Sequence, residues 1–213
     1  MKEKIYKLSP HFFQNLLITI FNVIAYKKRY GGSYHEWRNT LLKNRSLSFV
    51  ELQNVQNKRY KSFIKNSIAN SKFYREKYKN IKNVDDLALI QNLPIINKEE
   101  VRSNINDIII KTKDKFEISK TGGTTGKSLQ VKFTYSNMQE RFAFLDDFRS
   151  RFGYELGKKT AWFSGKGLLT DRDIKRNRFW KTDIYHNVRY YSTFHIKDEY
   201  LGFYISNLIL YQP

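Results

Sequence analysis

The sequence predicts an α/β protein that begins with a helical region and continues with strands on either side of a glycine-rich loop. Apolar residues recur at three- and four-residue steps through residues 1–90, a spacing typical of helices. Around residues 121–128 the spacing changes to an alternation of period two, which is typical of strands. We therefore divide the chain into a helical region at 1–90 and an α/β region at 91–213.

The size and composition of the chain fit this division. Its 213 residues, of which 40% are hydrophobic and 16% aromatic, are enough for one sizeable core with a helical annex. No cysteine is present, so disulfides and thiolate metal sites are excluded and a reducing, cytoplasmic compartment is favoured. The four histidines lack metal-ligand spacing, and we predict no structural metal.

The glycine-rich loop reads Thr-Gly-Gly-Thr-Thr-Gly-Lys-Ser from Thr121 to Ser128. Glycines let the backbone approach an anion closely, hydroxyls add hydrogen-bond donors, and a lysine neutralises negative charge. This combination suits a polyphosphate. The residues predicted to bind it are Thr121, Gly122, Gly123, Thr124, Thr125, Gly126 and Lys127.

The end of the loop, Gly126-Lys127-Ser128, matches the last three letters of a Walker A motif. The spacing does not match, because Thr121 stands where that motif needs its first glycine. The segments 115–119 and 129–134 both alternate apolar and polar residues, so we predict that the loop joins two strands. A P-loop NTPase is kept as an alternative interpretation.

The N-terminal region contains a mostly apolar run from Phe12 to Tyr26, followed by Lys27-Lys28-Arg29. This run is shorter than the about 20 residues that a membrane span needs. Its spacing predicts one helix with a buried apolar stripe, and peripheral attachment to a membrane is the alternative. The predicted stripe consists of Phe12, Phe13, Leu16, Leu17, Ile20, Val23 and Ile24.

Further helices are predicted on both sides of the loop. Ser48 and Glu51 form a capping-box pattern that begins a long helix ending near residue 71. Ser136 and Gln139 show the same pattern after the loop. A strand at 161–164 is followed by Lys166, which we regard as a second candidate contact for phosphate.

The net charge of +19 comes from 39 Lys and Arg against 20 Asp and Glu. These basic residues are spread over almost every segment, and the chain shows no recognisable nucleic-acid-binding motif. We therefore do not expect nucleic acid as a partner. The charge does favour contact with anionic surfaces.

Three segments together resemble one known family. The loop at 121–126 resembles the phosphate-binding loop of adenylate-forming enzymes, in the branch of phenylacetate-CoA ligase and the capsular polysaccharide biosynthesis protein CapK. The segment 93–102, Leu-Pro-Ile-Ile-Asn-Lys-Glu-Glu-Val-Arg, resembles the entry to their nucleotide-binding domain. The segment 71–75, Ser-Lys-Phe-Tyr-Arg, resembles the end of their first long helix.

This resemblance implies the first part of the N-terminal domain of an adenylate-forming enzyme. It implies activation of a small carboxylate by ATP, with Mg²⁺ held through the ATP, transfer to an acceptor such as CoA, and a link to surface polysaccharide biosynthesis. Ser128 and Leu129 depart from the commonest family form, which has proline and often lysine there.

The later motifs of the family have no counterpart in this sequence. These are the adenine-proximal motif, the ribose-binding aspartate and the small C-terminal domain with its catalytic lysine. The catalytic residues therefore stay unknown, and we expect the chain to be inactive without the C-terminal half of the same protein. The alternative is a non-catalytic basic module or truncated remnant associated with membrane polysaccharide machinery.

Overall fold

The computed structural model describes residues 2–121 and 128–213, and it confirms a mixed α/β protein with a helical N-terminal region and small sheets. The described residues form two compact units. The first contains the residues up to Gly31 together with Phe144–Pro213, and the second contains Gly32–Ala143. The predicted division at residue 90 falls inside the second unit, and as a statement about folding domains it stays a prediction.

The second unit consists of helices followed by a β-hairpin. Its elements are α3 (Tyr34–Asn44), α4 (Phe49–Asn70), α5 (Lys72–Tyr78), a 3-10 helix (Leu87–Asn92), α6 (Lys98–Ser103), α7 (Ile105–Ile108), β1 (Phe116–Lys120) and β2 (Gln130–Thr134). The helix α8 (Tyr135–Ser150) begins directly after β2.

A serine hydroxyl caps the N-terminus of both α4 and α5. The capping box predicted at Ser48 and Glu51 is confirmed, since each residue's side chain accepts the backbone N–H of the other. Ser71 is fully buried between α4 and α5, where it accepts the N–H of Tyr74 at 3.4 Å. Its hydroxyl also donates to the carbonyl of Asp107 at 2.8 Å, which holds the α4–α5 junction against α7.

The strands β1 and β2 pair in antiparallel register, with Phe116 opposite Thr134 and Lys120 opposite Gln130. This confirms the prediction that the glycine-rich loop joins two strands.

The capping box predicted at Ser136 and Gln139 is wrong. The Thr134 hydroxyl accepts the N–H of Asn137 at 3.1 Å in the first turn of α8, while the Ser136 hydroxyl donates to Asp114. Gln139 is buried and accepts the N–H of Ser33 at 3.0 Å. Tertiary partners therefore take the side chains that the local pattern assigned to the cap.

The first unit is built on a three-stranded sheet in the order β3-β5-β4. β3 runs parallel to β5, and β4 runs antiparallel to β5. A cluster of Phe179, Tyr191 and Tyr204 forms the buried core of this unit. The elements are α1 (Lys2–Leu8), α2 (His11–Tyr30), β3 (Thr160–Ser164), α9 (Asp171–Lys175), β4 (Trp180–Asp183), β5 (Val188–Ser192), a 3-10 turn (Thr193–His195) and α10 (Asp198–Tyr211).

The helix α2 lies along β4, one of the two edge strands of this sheet, and contacts it through polar side chains. Asn15 Oδ1 accepts the N–H of Thr182 at 3.1 Å, and Thr19 Oγ1 accepts the N–H of Ile184 at 3.0 Å. Four helical residues advance about 6 Å and two strand residues about 6.6 Å, so the two spacings match. The helix thus supplies acceptors that an edge strand otherwise lacks.

The prediction that α2 buries an apolar stripe is wrong. The buried residues of α2 are Gln14, Asn15 and Asn22, whereas Phe12 is 70% and Ile24 55% exposed. On its inward side α2 supplies Asn15 and Thr19 as acceptors to N–H groups of the strand edge, which would cost free energy if they were buried without a partner. Within the described residues, no helix has the length and apolarity needed to cross a membrane.

Replacing the edge-strand acceptor should destabilise the protein. Asn15→Ala leaves the partly buried Thr182 N–H without its acceptor, and we expect the free energy of unfolding to fall by about 1 to 3 kcal/mol. Chemical denaturation measures this change. Asn39→Ala, at an exposed position of α3, is the matched control. Equal stability of the two variants would contradict the edge-strand role of Asn15.

Candidate functional site

Beyond the paired residues of β1 and β2, one further pair of residues hydrogen-bonds at the two ends of the predicted phosphate-binding loop. The N–H of Thr121 donates to the carbonyl of Leu129 at 2.9 Å, and the N–H of Leu129 donates to Thr121 Oγ1 at 3.0 Å. Thr121 and Ser128 are both exposed. The other predicted ligands, Gly122, Gly123, Thr124, Thr125, Gly126 and Lys127, lie outside the described residues, and their roles stay predictions.

The structure gives Thr121 a role that the sequence did not predict. Its hydroxyl oxygen accepts a backbone N–H and so closes the base of the loop. A hydroxyl has one donor and two acceptor lone pairs, so the same group can still donate its proton to an anion. Closing the hairpin and contacting a phosphate are therefore compatible for Thr121.

A cleft of about 410 Å³ lies in the second unit, beside the hairpin. Its walls come from β1, β2 and the helices α6 and α7, and it begins at Ser128, directly after the loop. Part of the lining is apolar, and two cations lie among its polar residues. The lining residues are Arg102, Ile105, Asn106, Ile109, Ile118, Ser128, Leu129, Gln130 and Lys132.

The segment 93–102 contributes Arg102 to the lining of this cleft. Leu93 adopts an extended conformation with ψ 140°, as expected before Pro94, and Asn97 then begins α6 by accepting the N–H of Glu100 at 2.9 Å. Arg102 follows in the last turn of α6 and pairs with Glu99. The sequence of this segment shows only a resemblance to a known family, and its position beside the hairpin comes from the structure.

The second cation of the cleft is held by the hairpin itself. Lys132 Nζ lies 4.6 Å from the centroid of the Phe116 ring, across the β1–β2 pair. The ring face attracts the ammonium group and orients it. Lys132 is exposed, so the charge is accessible to an anionic ligand.

The parallel strands of the first unit provide a second candidate contact region. Ser164 ends β3 opposite Ser192 at the end of β5, so the Gly165–Gly167 loop and the 3-10 turn leave from the same edge. Ligands often bind at the carboxyl edge of parallel strands. Lys166 is exposed there, and His195 Nδ1 lies 2.9 Å from Ser192 Oγ.

A comparison with known proteins indicates what this chain is similar to. The sequence is 34% identical over 216 residues to Protein CapK from Staphylococcus aureus. This chain is CapK-like. The alignment covers 100% of the chain and 47% of the relative, so the chain spans about half the length of that protein. No family model and no solved structure matches the chain.

The CapK-like chain also contains a buried polar cluster that the sequence did not predict. Lys181 is fully buried, and its Nζ lies 2.7 Å from Asp173 Oδ2. Gln14 accepts a hydrogen bond from the same ammonium, and the Thr170 hydroxyl donates to Asp173 at 2.7 Å. His11 Nδ1 lies 3.1 Å from both Asp173 Oδ1 and Lys181 Nζ. Thr170 and Asp173 have the spacing of a capping box, but no local sequence pattern brings Lys181, Gln14 and His11 to them.

Burial and charge shift the pKa values of this cluster. Burial lowers the pKa of Lys181, although Asp173 acts in the opposite direction. Burial acts to raise the pKa of Asp173, but the hydrogen bonds from Lys181 and Thr170 outweigh it and leave this pKa below its usual value. Burial, then the charges of Lys181 and Arg178, lower the pKa of His11.

Acid should therefore destabilise the CapK-like chain in two stages. Because the pKa of folded His11 lies below 6.5, the unfolded chain binds more protons, and stability falls as the pH drops from 6.5 through that lowered pKa. The lowered pKa of Asp173 adds a second loss below pH 3.8.

Urea denaturation at about pH 7.5 and about pH 5 measures the first stage. His11→Gln removes the titrating group, so its free energy of unfolding should change less between these pH values than that of the unmodified chain. His35→Gln, at an exposed position of α3, is the matched control. Identical pH dependence in both variants would show that His11 does not contribute.

Proposed function

We propose that this chain is the N-terminal part of an AMP-forming acyl-adenylate ligase that serves capsular or surface polysaccharide biosynthesis. Its reaction would activate a small carboxylate with ATP and pass the acyl group to an acceptor such as CoA. The proposal is supported by the resemblance of the loop and its upstream segments to adenylate-forming enzymes, and by the similarity to Protein CapK along the whole chain. A cytoplasmic location fits the supply of ATP.

The observation that carries the proposal is the closed hairpin beneath the loop. Thr121 and Leu129 hydrogen-bond to each other at 2.9 and 3.0 Å, so both ends of the glycine-rich segment are fixed. Fixed ends lower the entropy that the loop loses when it closes around a phosphate. Lys132 and the exposed hydroxyls of Thr121 and Ser128 make the surroundings suitable for an anion.

In this proposal the loop acts through hydrogen bonds and charge. The amides of Gly122, Gly123 and Gly126 and the hydroxyls of Thr124 and Thr125 would contact the β- and γ-phosphates. Donors that are already in place stabilise the negative charge that builds on a leaving pyrophosphate. Lys127 would add a positive charge, and Mg²⁺ bound to ATP would neutralise further phosphate charge.

The arrangement of strands does not support the P-loop NTPase alternative. A Walker loop leads from a strand into a helix whose N-terminus faces the phosphates. Here the chain after the loop forms β2, antiparallel to β1, and α8 begins only at Tyr135. The basic-module alternative predicts no carboxylate activation and is distinguished by the following experiment.

An ATP–pyrophosphate exchange assay with a panel of small carboxylates tests the proposal. We expect acid-dependent exchange in a version extended to the length of the CapK relative, and none in these 213 residues alone. In the extended version Thr124→Val should lower exchange by roughly 10²-fold, the loss typical of one transition-state donor. The control Thr40→Val, at an exposed position of α3, should keep full exchange.

The contrary outcomes favour the other functions. Absence of exchange in the extended version with every acid would contradict the ligase proposal and favour the basic module. Acid-independent ATP hydrolysis that Lys127→Ala abolishes would favour an NTPase. Equal exchange in Thr124→Val and Thr40→Val would show that the loop does not take part in the reaction.

A further inference from the structure

The helix α2 presents a row of large apolar side chains away from its own unit. These residues, which we call the outer face, are 36% to 70% exposed. Exposed apolar residues are normally scattered singly over a protein surface, whereas these lie together on one helix. They are Phe12, Phe13, Leu16, Ile20, Phe21 and Ile24. We propose that the outer face is a docking surface for an anionic lipid bilayer.

The hydrogen bonds to β4 fix which side of α2 faces outward. Asn15 and Thr19 accept N–H groups at the sheet edge, and Asn22 donates to the fully buried Asp183 at 2.7 Å. Rotating the helix to bury Phe12 or Ile20 would break these bonds and leave buried polar groups without partners. The apolar side therefore stays exposed in the folded unit.

The geometry of the outer face suits a helix that lies in the plane of a membrane surface. The 20 residues of α2 extend over about 30 Å. Because one side is hydrogen-bonded to the sheet, α2 can insert only its opposite side, which enters lipid to the shallow depth typical of interfacial helices. Each apolar side chain moved from water into the acyl region contributes favourable transfer free energy.

Charge identifies the lipid as anionic. Lys27 lies three residues after Ile24 and seven after Ile20, so it shares the outer face at its C-terminal end, and it is exposed. A lysine in this position extends its ammonium toward the headgroups while its methylene groups cover apolar surface. The net charge of +19 adds long-range attraction to a negative surface. The same charge opposes pairing of the face with a second copy of the chain.

Vesicle sedimentation of the 213-residue chain tests this proposal. We expect binding to vesicles of equal parts phosphatidylglycerol and phosphatidylcholine, and at least about tenfold weaker binding to phosphatidylcholine alone. Phe12→Gln with Ile20→Gln should weaken binding to the anionic vesicles at least about tenfold. Glutamine is a good helix former, so α2 should persist.

Two matched controls distinguish binding through the outer face from nonspecific hydrophobic binding and from the effect of net charge. Phe152→Gln with Ile95→Gln removes the same two residue types at positions 77% and 94% exposed, and should change binding less than about twofold. Lys27→Glu should weaken binding about fivefold or more. Lys175→Glu changes the net charge by the same amount at an exposed position of α9 and should have a smaller effect.

Several results would overturn the proposal. These are no binding to anionic vesicles, equal binding to both vesicle types, or equal losses in the outer-face variant and its control. A dimeric mass in solution that the Phe12 and Ile20 variant reduces to a monomer, without vesicle binding, would instead assign the face to a second copy. If circular dichroism shows that the outer-face variant has lost its fold, the comparison of Lys27→Glu with Lys175→Glu decides the proposal.

Discussion

The first unit depends on the hydrogen-bonding demand of one edge strand. β4 lies at the side of a three-stranded sheet, so its outward N–H groups need acceptors other than a neighbouring strand. Asn15 and Thr19 of α2 supply them, and Lys181 of β4 extends into a buried cluster with Asp173 and Gln14. Lys181, Asp173 and Gln14 hydrogen-bond within this cluster, and such pairing is the condition under which buried charge is tolerated. A helix that looks ordinary in sequence is consequently held by polar contacts.

This constraint has a second effect on the opposite side of α2. Because the polar residues face the sheet, the apolar residues that a helix normally buries face outward, and Phe12 and Ile20 are 70% and 50% exposed. The protein thereby combines a fixed apolar surface with a strongly basic composition. That combination is the physical basis for the proposed contact with anionic lipid.

The second unit uses a different constraint to prepare its candidate site. Antiparallel pairing of β1 and β2 brings Thr121 and Leu129 together, so the glycine-rich segment between them starts and ends at fixed points. The helices α6 and α7 add a cleft beside these points, with Arg102 and Lys132 among its lining residues. The proposed phosphate chemistry therefore rests on a hairpin and a basic cleft within one unit.

The sequence alone determined the features that depend on local chemistry. The alternation around the loop predicted β1 and β2, and the Ser48 capping box predicted the start of α4, because neighbouring residues decide both. The CapK resemblance likewise rested on short segments. Tertiary structure decided the orientation of α2, the burial of Lys181 and the use of Thr121 to close the hairpin. These three features depend on partners that are distant in sequence. A periodic pattern shows which residues share a helix face, but it does not show which face packs against an edge strand.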